Sequence, residues 1–416
     1  MIKHLRNDAN SIIQSSIHAV LPDRAVERAL EDFTPNPEGR TILVAAGKAA
    51  WQMAFAAQNV LSSIDTGIVI TKYDHVKGDL PNIICYEAGH PIPDKNGFLA
   101  TSHALQLVSG LSEKDTVLFL LSGGGSALFE QPLIPGEELQ DITGQLLACG
   151  ADIVEINTIR KRLSHVKGGR FALACAPAHV FCIVLSDIIG DPLDMIASGP
   201  AYPDSSTCSQ ALDIIAKYQL HLSEQAMHCL NQETPKTLTN VTTKITGSVR
   251  ELCLAASDAC LALGYEPVLL TDRLCCEAKE AGSFLGSIAA TQVNSITHPT
   301  AYIAGGETIV RLTGSGLGGR NQELALASAP GIAGLSAAVF SVGSDGTDGP
   351  TDAAGGYVDG DSYDALFSLG ISVSDVLKNN DSYHTLKQVD GLIITGPTGT
   401  NVNDVAVLLL HPASDS

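Results

Sequence analysis

Positive charge is scarce in this chain: 25 Lys and Arg stand against 45 Asp and Glu, a net charge of −20. That balance argues against nucleic acid as a partner and for a soluble protein, and any site for anionic substrates must be locally basic. No uninterrupted apolar run approaches the roughly 18 residues that would span a bilayer, so no membrane segment is expected. The N-terminal stretch MIKHLRNDANSIIQSSIHAV has neither the apolar core nor the small-residue cleavage site of a signal peptide. It reads as an amphipathic helix, and a cytoplasmic location is expected. The ten cysteines include no CxxC pair, and only Cys275 and Cys276 are adjacent. Without an export signal they are expected to be reduced, small apolar core residues and not disulfides or zinc ligands. There is no low-complexity tract and no fixed-period repeat.

What is present is a recurring pattern: an apolar, β-branched run that ends in a glycine-containing turn and opens into a helix, the unit of parallel sheets. Thr41–Ala46 runs into Gly47-Lys48, Thr116–Leu121 into Ser122-Gly-Gly-Gly-Ser126, and Val180–Leu185 into Ser186-Asp187. Each strand delivers polar residues at its C-terminal end, where open α/β sheets bind ligands. At 416 residues the chain exceeds the roughly 250 to 300 at which single cores stop growing. The strand signal fades between about 203 and 239. Two α/β domains are therefore expected, 1–238 with a Rossmann-like parallel sheet and 239–416, the second opening on a strand at Lys244–Gly247 and ending on one at Gly391–Thr395.

Several segments could carry chemistry. Lys48 stands where a strand hands over to a helix, a place where backbone N–H groups and the helix dipole attract phosphate; Ala49 after it breaks the P-loop spacing GxxxxGK[ST]. Gly123, Gly124, Gly125 and Ser126 offer backbone donors for an anion, or else a tight turn without a ligand. The run 157–170 concentrates basic residues, Lys167 among them, and reads as a solvated face or an anion contact. Asp187 and Asp191 follow a strand end, where a magnesium ion or a substrate hydroxyl would sit. Asp345 and Asp348 lie in a glycine-flanked loop as ligands or turn formers, and His90 reads as a loop anchor. Arg320 stands isolated after a glycine-rich stretch.

That stretch, Gly314 to Gly319, literally satisfies GxGxxG after an apparent strand and before a helix. An NAD(P)-dependent hydroxypyruvate reductase is therefore an alternative function. Against it, no acidic residue ends a following strand about 20 residues on, and Arg320 suits a phosphate better than a neutral ribose.

Together, Ala46-Gly-Lys-Ala49, Gly89-His-Pro-Ile-Pro-Asp94, Leu121 to Leu128, Lys167-Gly-Gly-Arg170, Leu185 to Pro200, Gly305-Gly-Glu307, Gly318 to Glu323, Gly343 to Gly356 and Gly396 to Asp404 resemble the class II glycerate kinases, the MOFRL family, over nearly the whole chain. Ala201 and Ser344 stand where threonine is common in that family. The resemblance implies ATP-dependent phosphorylation of D-glycerate at C2, with a divalent cation such as Mg²⁺ and the active site in an interdomain cleft. It maps functional roles onto Lys48, Arg320, Asp187, Glu307 and Asn403. The expected inventory is catalytic Lys48, Arg320 and Asp187; ATP-binding Gly123, Gly124, Gly125, Ser126, Lys167, Glu307 and Asn403; and metal-binding Asp191 and Asp345. D-Glycerate and ATP are the expected partners, with no nucleic acid or membrane, and a homodimer is left open.

Overall fold

The computed structural model describes residues 2–186, 188–190 and 192–413. These form two compact units, one of Pro22–Ser186 with 192–246 and one of 2–21, 188–190 and 247–413.

In the first unit six strands, β1 (Thr41–Ala46), β2 (Thr66–Lys72), β3 (Ile83–Ala88), β4 (Thr116–Leu121), β5 (His179–Leu185) and β6 (Val241–Gly247), lie in the order β3-β2-β1-β4-β5-β6. Strands β1 to β5 run parallel. The apolar runs are buried on both faces because helices cover both, which explains why they read as continuous and not alternating. Leu43, Ala45, Leu118, Leu120 and Ile183 pack against the helices Pro22–Leu30 and Ala50–Val60, while Phe119 clusters with Phe129 and Phe171 on the other face. The strand order reverses between β1 and β4, the place where doubly wound sheets open a crevice.

In the second unit β7 (Glu266–Leu274), β8 (Thr300–Gly306), β9 (Ala337–Gly343), β10 (Gly355–Asp359), β11 (Leu392–Ile393) and β12 (Asp404–Leu410) lie in the order β11-β10-β9-β12-β8-β7. The sheet is mixed: β7 and β8 are parallel, and β12 runs antiparallel to both β8 and β9. Val405, Val407 and Leu409 face the helices Lys3–Ala19 and Val249–Ala262, and Ala406, Leu408 and Leu410 the helices Ala278–Gln292 and Arg320–Ile332.

The two α/β assemblies are as expected; their membership differs from the linear division at 238/239. The strand expected to open the second unit is β6, which lies beside β5 in the first sheet; Lys244 Nζ also reaches Asp32 at 2.7 Å. The N-terminal helix is amphipathic, as expected, but it buries Leu5, Ala9, Ile12, Ile13 and Ile17 in the core of the second unit. Thr400 Oγ1 donates to Val20 O (2.9 Å) and Tyr265 Oη to Asp8 (2.7 Å), fixing it there. The expected last strand at Gly391–Thr395 is only the two-residue β11, and the chain ends on β12 at the centre of its sheet. All ten cysteines are free, and no described helix is long and apolar enough to cross a membrane.

Candidate active site

At the carboxyl ends of β1 and β4 the two following loops are tied together. Gly47 has φ +124°, and a Cβ there would run into Ser122. Lys48 N donates to Gly123 O (2.9 Å) and Ala49 N to Ser122 Oγ (3.1 Å). The Lys48 carbonyl accepts from Thr71 Oγ1 (3.2 Å) and lies 3.0 Å from His75 Nδ1. The lysine's backbone is thus fixed while its side chain is exposed. No carboxylate pairs with its ammonium among the described residues.

Gly124 takes φ +85°, a left-handed conformation that favours glycine. A Cβ at Gly124 would stand 3.1 Å from His90 Cδ2 and 3.2 Å from Lys48 Cγ, and one at Gly125 would stand 2.8 Å from Ala197 Cβ. The loop spends few of its donors. Gly125 N and Ala127 N bond within the turn, whereas the N–H groups of Gly123, Gly124 and Ser126 meet no acceptor among the described residues. Successive unspent N–H groups beside an exposed ammonium are what a phosphate requires. His90, read from sequence as a loop anchor, stands against this loop; burial and then the charges of Lys48, Lys72 and His75 lower its pKa, so its neutral form is favoured.

Lys167 is not on the open side of the loop. It is fully buried, and its Nζ donates to Ser126 O (2.8 Å), Phe129 O (3.2 Å) and Ala197 O (3.5 Å). Arg160 Nη2 donates to the same Ser126 carbonyl (2.9 Å), and the buried Glu130 lies 3.5 Å from Lys167 Nζ. Burial pushes the Lys167 pKa down to about 8 against the pull of Glu130. The basic run 157–170 is therefore largely interior, with Arg162 also fully buried, and a solvated face does not describe it.

In the second unit, β8 and β9 end where β12 begins: Asp404 pairs in register with Gly306 and with Gly343. Arg320, the first residue of its helix, is not isolated. Its Nε and Nη2 bond Asp404 Oδ2 (2.6 Å) and Oδ1 (3.1 Å), and its Nη1 bonds Glu307 Oε1 (2.6 Å). Burial works to lower the arginine's pKa, but the two carboxylates outweigh it and leave it raised. Burial also pushes the Asp404 carboxyl up to about 6 against the pull of Arg320. Glu307 is exposed. Asn403 is buried with φ 65°, and its carbonyl accepts from Ser344 N (3.0 Å).

The GxGxxG stretch is filled by its own chain. Cβ atoms at Gly314, Gly316 and Gly318 would strike Asn379, Asp381 and Ser382, and one at Gly319 would strike Asp348. The Asp348 carboxylate accepts from Asn321 N (3.1 Å) and Gln322 N (2.9 Å), the free donors at the start of the helix Arg320–Ile332. A dinucleotide pyrophosphate would need those same donors. The glycines here serve close packing.

Mg²⁺ typically takes one or two carboxylates, completing its shell with phosphate oxygens and water. Asp345, partly exposed with Oδ1 accepting from Thr347 N (2.9 Å), suits such a role, while Glu307 is engaged by Arg320. Among the described residues no three His, Cys, Asp or Glu side chains form a metal-ligand group. The expected catalytic Asp187 and metal ligand Asp191 lie outside the described residues.

With both halves described, the chain can be set beside known proteins. Residues 8–231 match the model described as a domain of unknown function, DUF4147, and residues 300–404 match the MOFRL family. The chain is 50% identical to the D-glycerate 2-kinase of Thermotoga maritima over 98% of each chain, and 40% identical to the glycerate 2-kinase of Pyrococcus horikoshii over 90% of this chain and 88% of the relative. The crystal structure of a Thermotoga maritima glycerate kinase superposes with a TM-score of 0.93 at 49% identity, covering 98% of this chain and all of that one. Relatives from Agrobacterium vitis at 36 and 38% identity carry a hydroxypyruvate reductase name. The chain belongs to the class II glycerate kinase family, with its two parts in the order DUF4147, then MOFRL.

Proposed function

We propose that the protein transfers the γ-phosphoryl group of ATP to the C2 hydroxyl of D-glycerate, giving ADP and 2-phospho-D-glycerate. The observation that carries a phosphoryl-transfer reading is the switch-point loop: three N–H groups, of Gly123, Gly124 and Ser126, unspent among the described residues and beside Lys48, which has no carboxylate partner among them. The 50% identity to a D-glycerate 2-kinase supports the substrate and the position phosphorylated. Phosphoryl transfer asks the protein mainly for positioning and charge neutralisation. In this reading the Gly123–Ser126 backbone and Lys48 hold the ATP phosphates, and Lys48 stabilises the charge that builds on the transferring group. Arg320 holds an anionic group of a substrate. Asp187 takes the proton as the C2 oxygen attacks the γ-phosphorus and the bond to the β,γ-bridging oxygen breaks. Lys167 acts from behind, holding the loop through Ser126. Asp345, whose neighbour Ser344 bonds the Asn403 carbonyl, and Asp191 are the candidate ligands of a divalent cation, which would supply charge neutralisation across the phosphates.

The reductase alternative has little support in this chain, because the helix donors a dinucleotide would use at 314–322 are taken by Asp348. The test is purified protein with ATP, Mg²⁺ and D-glycerate, coupled through enolase, which accepts 2-phosphoglycerate and not the 3-isomer. Immediate signal is expected. Signal only after phosphoglycerate mutase is added would move phosphorylation to C3, and silence with NADH oxidised by hydroxypyruvate would replace the kinase by the reductase.

A further inference from the structure

The Arg320 guanidinium carries five N–H groups. Two of them, on Nε and Nη2, are held by Asp404, whose side chain is only 9% exposed; a third, on Nη1, is held by Glu307, whose side chain is 46% exposed. The remaining two have no partner among the described residues. The two carboxylates are not equivalent. Asp404 sits in the middle of three paired strands, between Gly306 and Gly343, and grips the guanidinium through two parallel bonds, so it fixes the arginine's orientation. Glu307 stands just beyond the end of β8, with its backbone N–H on Leu274 O (2.9 Å) and its side chain half exposed. A ligand carboxylate that docks end-on to the guanidinium uses Nη1 and Nη2 together, and the Glu307 oxygen already stands 2.6 Å from one of that pair, Nη1.

We infer that Glu307 is an internal stand-in for the substrate: its carboxylate occupies the Arg320 edge that the D-glycerate carboxylate takes, and it is displaced when D-glycerate binds. Asp404 is the positioning residue that keeps the arginine in place through the exchange. This rests on the reading of Arg320 as a substrate-anion group. The exchange explains why an arginine that serves an anionic substrate is found paired with acids: an unpaired guanidinium would attract any anion, whereas a pre-paired one admits only a ligand that outcompetes Glu307. The apparent affinity for D-glycerate is then lowered by the fraction of molecules in which Glu307 is docked.

Calorimetric binding of D-glycerate, in the absence of ATP and metal, separates this from a structural role. For Glu307→Gln the dissociation constant is expected to fall about fivefold, the scale of a half-exposed ion pair converted to affinity. Damage to the fold would raise it. Glu307→Asp keeps the charge but retracts it by one methylene, so it should tighten binding as well; a merely electrostatic effect of the lost charge would leave that variant at the wild-type value and overturn the exchange. Unchanged or weaker D-glycerate binding in Glu307→Gln, or tightening for ATP alone, would also overturn it. Wild-type turnover in the enolase assay is unaffected by any of these outcomes, so failure of the inference and failure of the kinase reading remain distinct.

Discussion

Two glycine-rich segments in this protein lead into a helix, yet they do opposite things. At 122–126 the loop leaves three N–H groups unspent beside a lysine with no carboxylate partner among the described residues. At 314–319 they let the chain press against 379–382, the helix donors go to Asp348, and the arginine is held by two acids. Glycine count does not distinguish an anion cradle from a packing device. What distinguishes them is whether the polar groups nearby are already satisfied within the chain.

The sharpest way to break this comparison is to remove each cation. Lys48→Ala is expected to lower kcat at least about a hundredfold, the scale of losing one electrostatic stabiliser, with thermal stability unchanged because Lys48 has no ion-pair partner among the described residues to orphan. Arg320→Ala should cost a similar factor in turnover and about 2 kcal/mol of stability as well, since it strands the buried Asp404 carboxylate. Denaturant unfolding alongside steady-state kinetics checks both; near-normal turnover in either variant removes that residue from the mechanism.

A next, smaller effect falls on the loops themselves. Gly124→Ala places a methyl at φ +85° against the His90 ring and Lys48, and is expected to raise KM for ATP by about tenfold for roughly 1–2 kcal/mol of strain. Asp348→Ala leaves helix and side-chain amides unsatisfied in the second unit and should cost about 2 kcal/mol of stability, without creating measurable NADH binding. If NADH does bind that variant, the packing account of 314–319 fails.

The smallest effect is a control remote from both loops. Asp115 accepts from Arg40 Nε and Nη2 (each 3.2 Å) and from Ser112 N (2.8 Å), and the Arg40 hydrogen bonds, with those amides, hold its carboxyl well below the usual range. A depressed folded-state pKa contributes stability that is fully present above the unfolded value near 3.9 and is lost progressively as pH falls from there through the lower folded-state value. Asp115→Asn should therefore cost about 1 kcal/mol at pH 7, limited by the 57% exposure of the Arg40 side chain, and the difference from wild type should narrow as pH falls below about 4. Urea midpoints from pH 7 to pH 3 follow it.

Much of the first unit was legible because its signals are local: an apolar run, a glycine turn and a helix start fall within about fifteen residues around Lys48 and again around Gly123. What escaped is pairing across long separations. Strand β6 reads as the start of something new, and only its place beside β5 assigns it; β12, DVAVLLL, carries a plain buried-strand signal that lies past the strand expected to be last, Gly391–Thr395. The same limit shaped the site. Arg320 is 84 residues from Asp404, so its pairing could not be read from spacing. Lys167 reads as part of a solvated face or an anion contact and is expected to bind ATP, and its burial beneath the loop is visible only with Phe129 and Ala197 in place. His90 offered a legible hint, standing in Gly89-His-Pro-Ile-Pro-Asp94, but its contact with Gly124 depends on the fold.

The most direct test of the comparison is a crystal structure of the protein with a non-hydrolysable ATP analogue. The account predicts phosphate oxygens within about 3.2 Å of the N–H groups of Gly123, Gly124 and Ser126, with the Lys48 ammonium against them and Asp348 still bonded to Asn321 and Gln322. Phosphates seated on the glycines at 314–319, with Asp348 displaced from the helix, would contradict it.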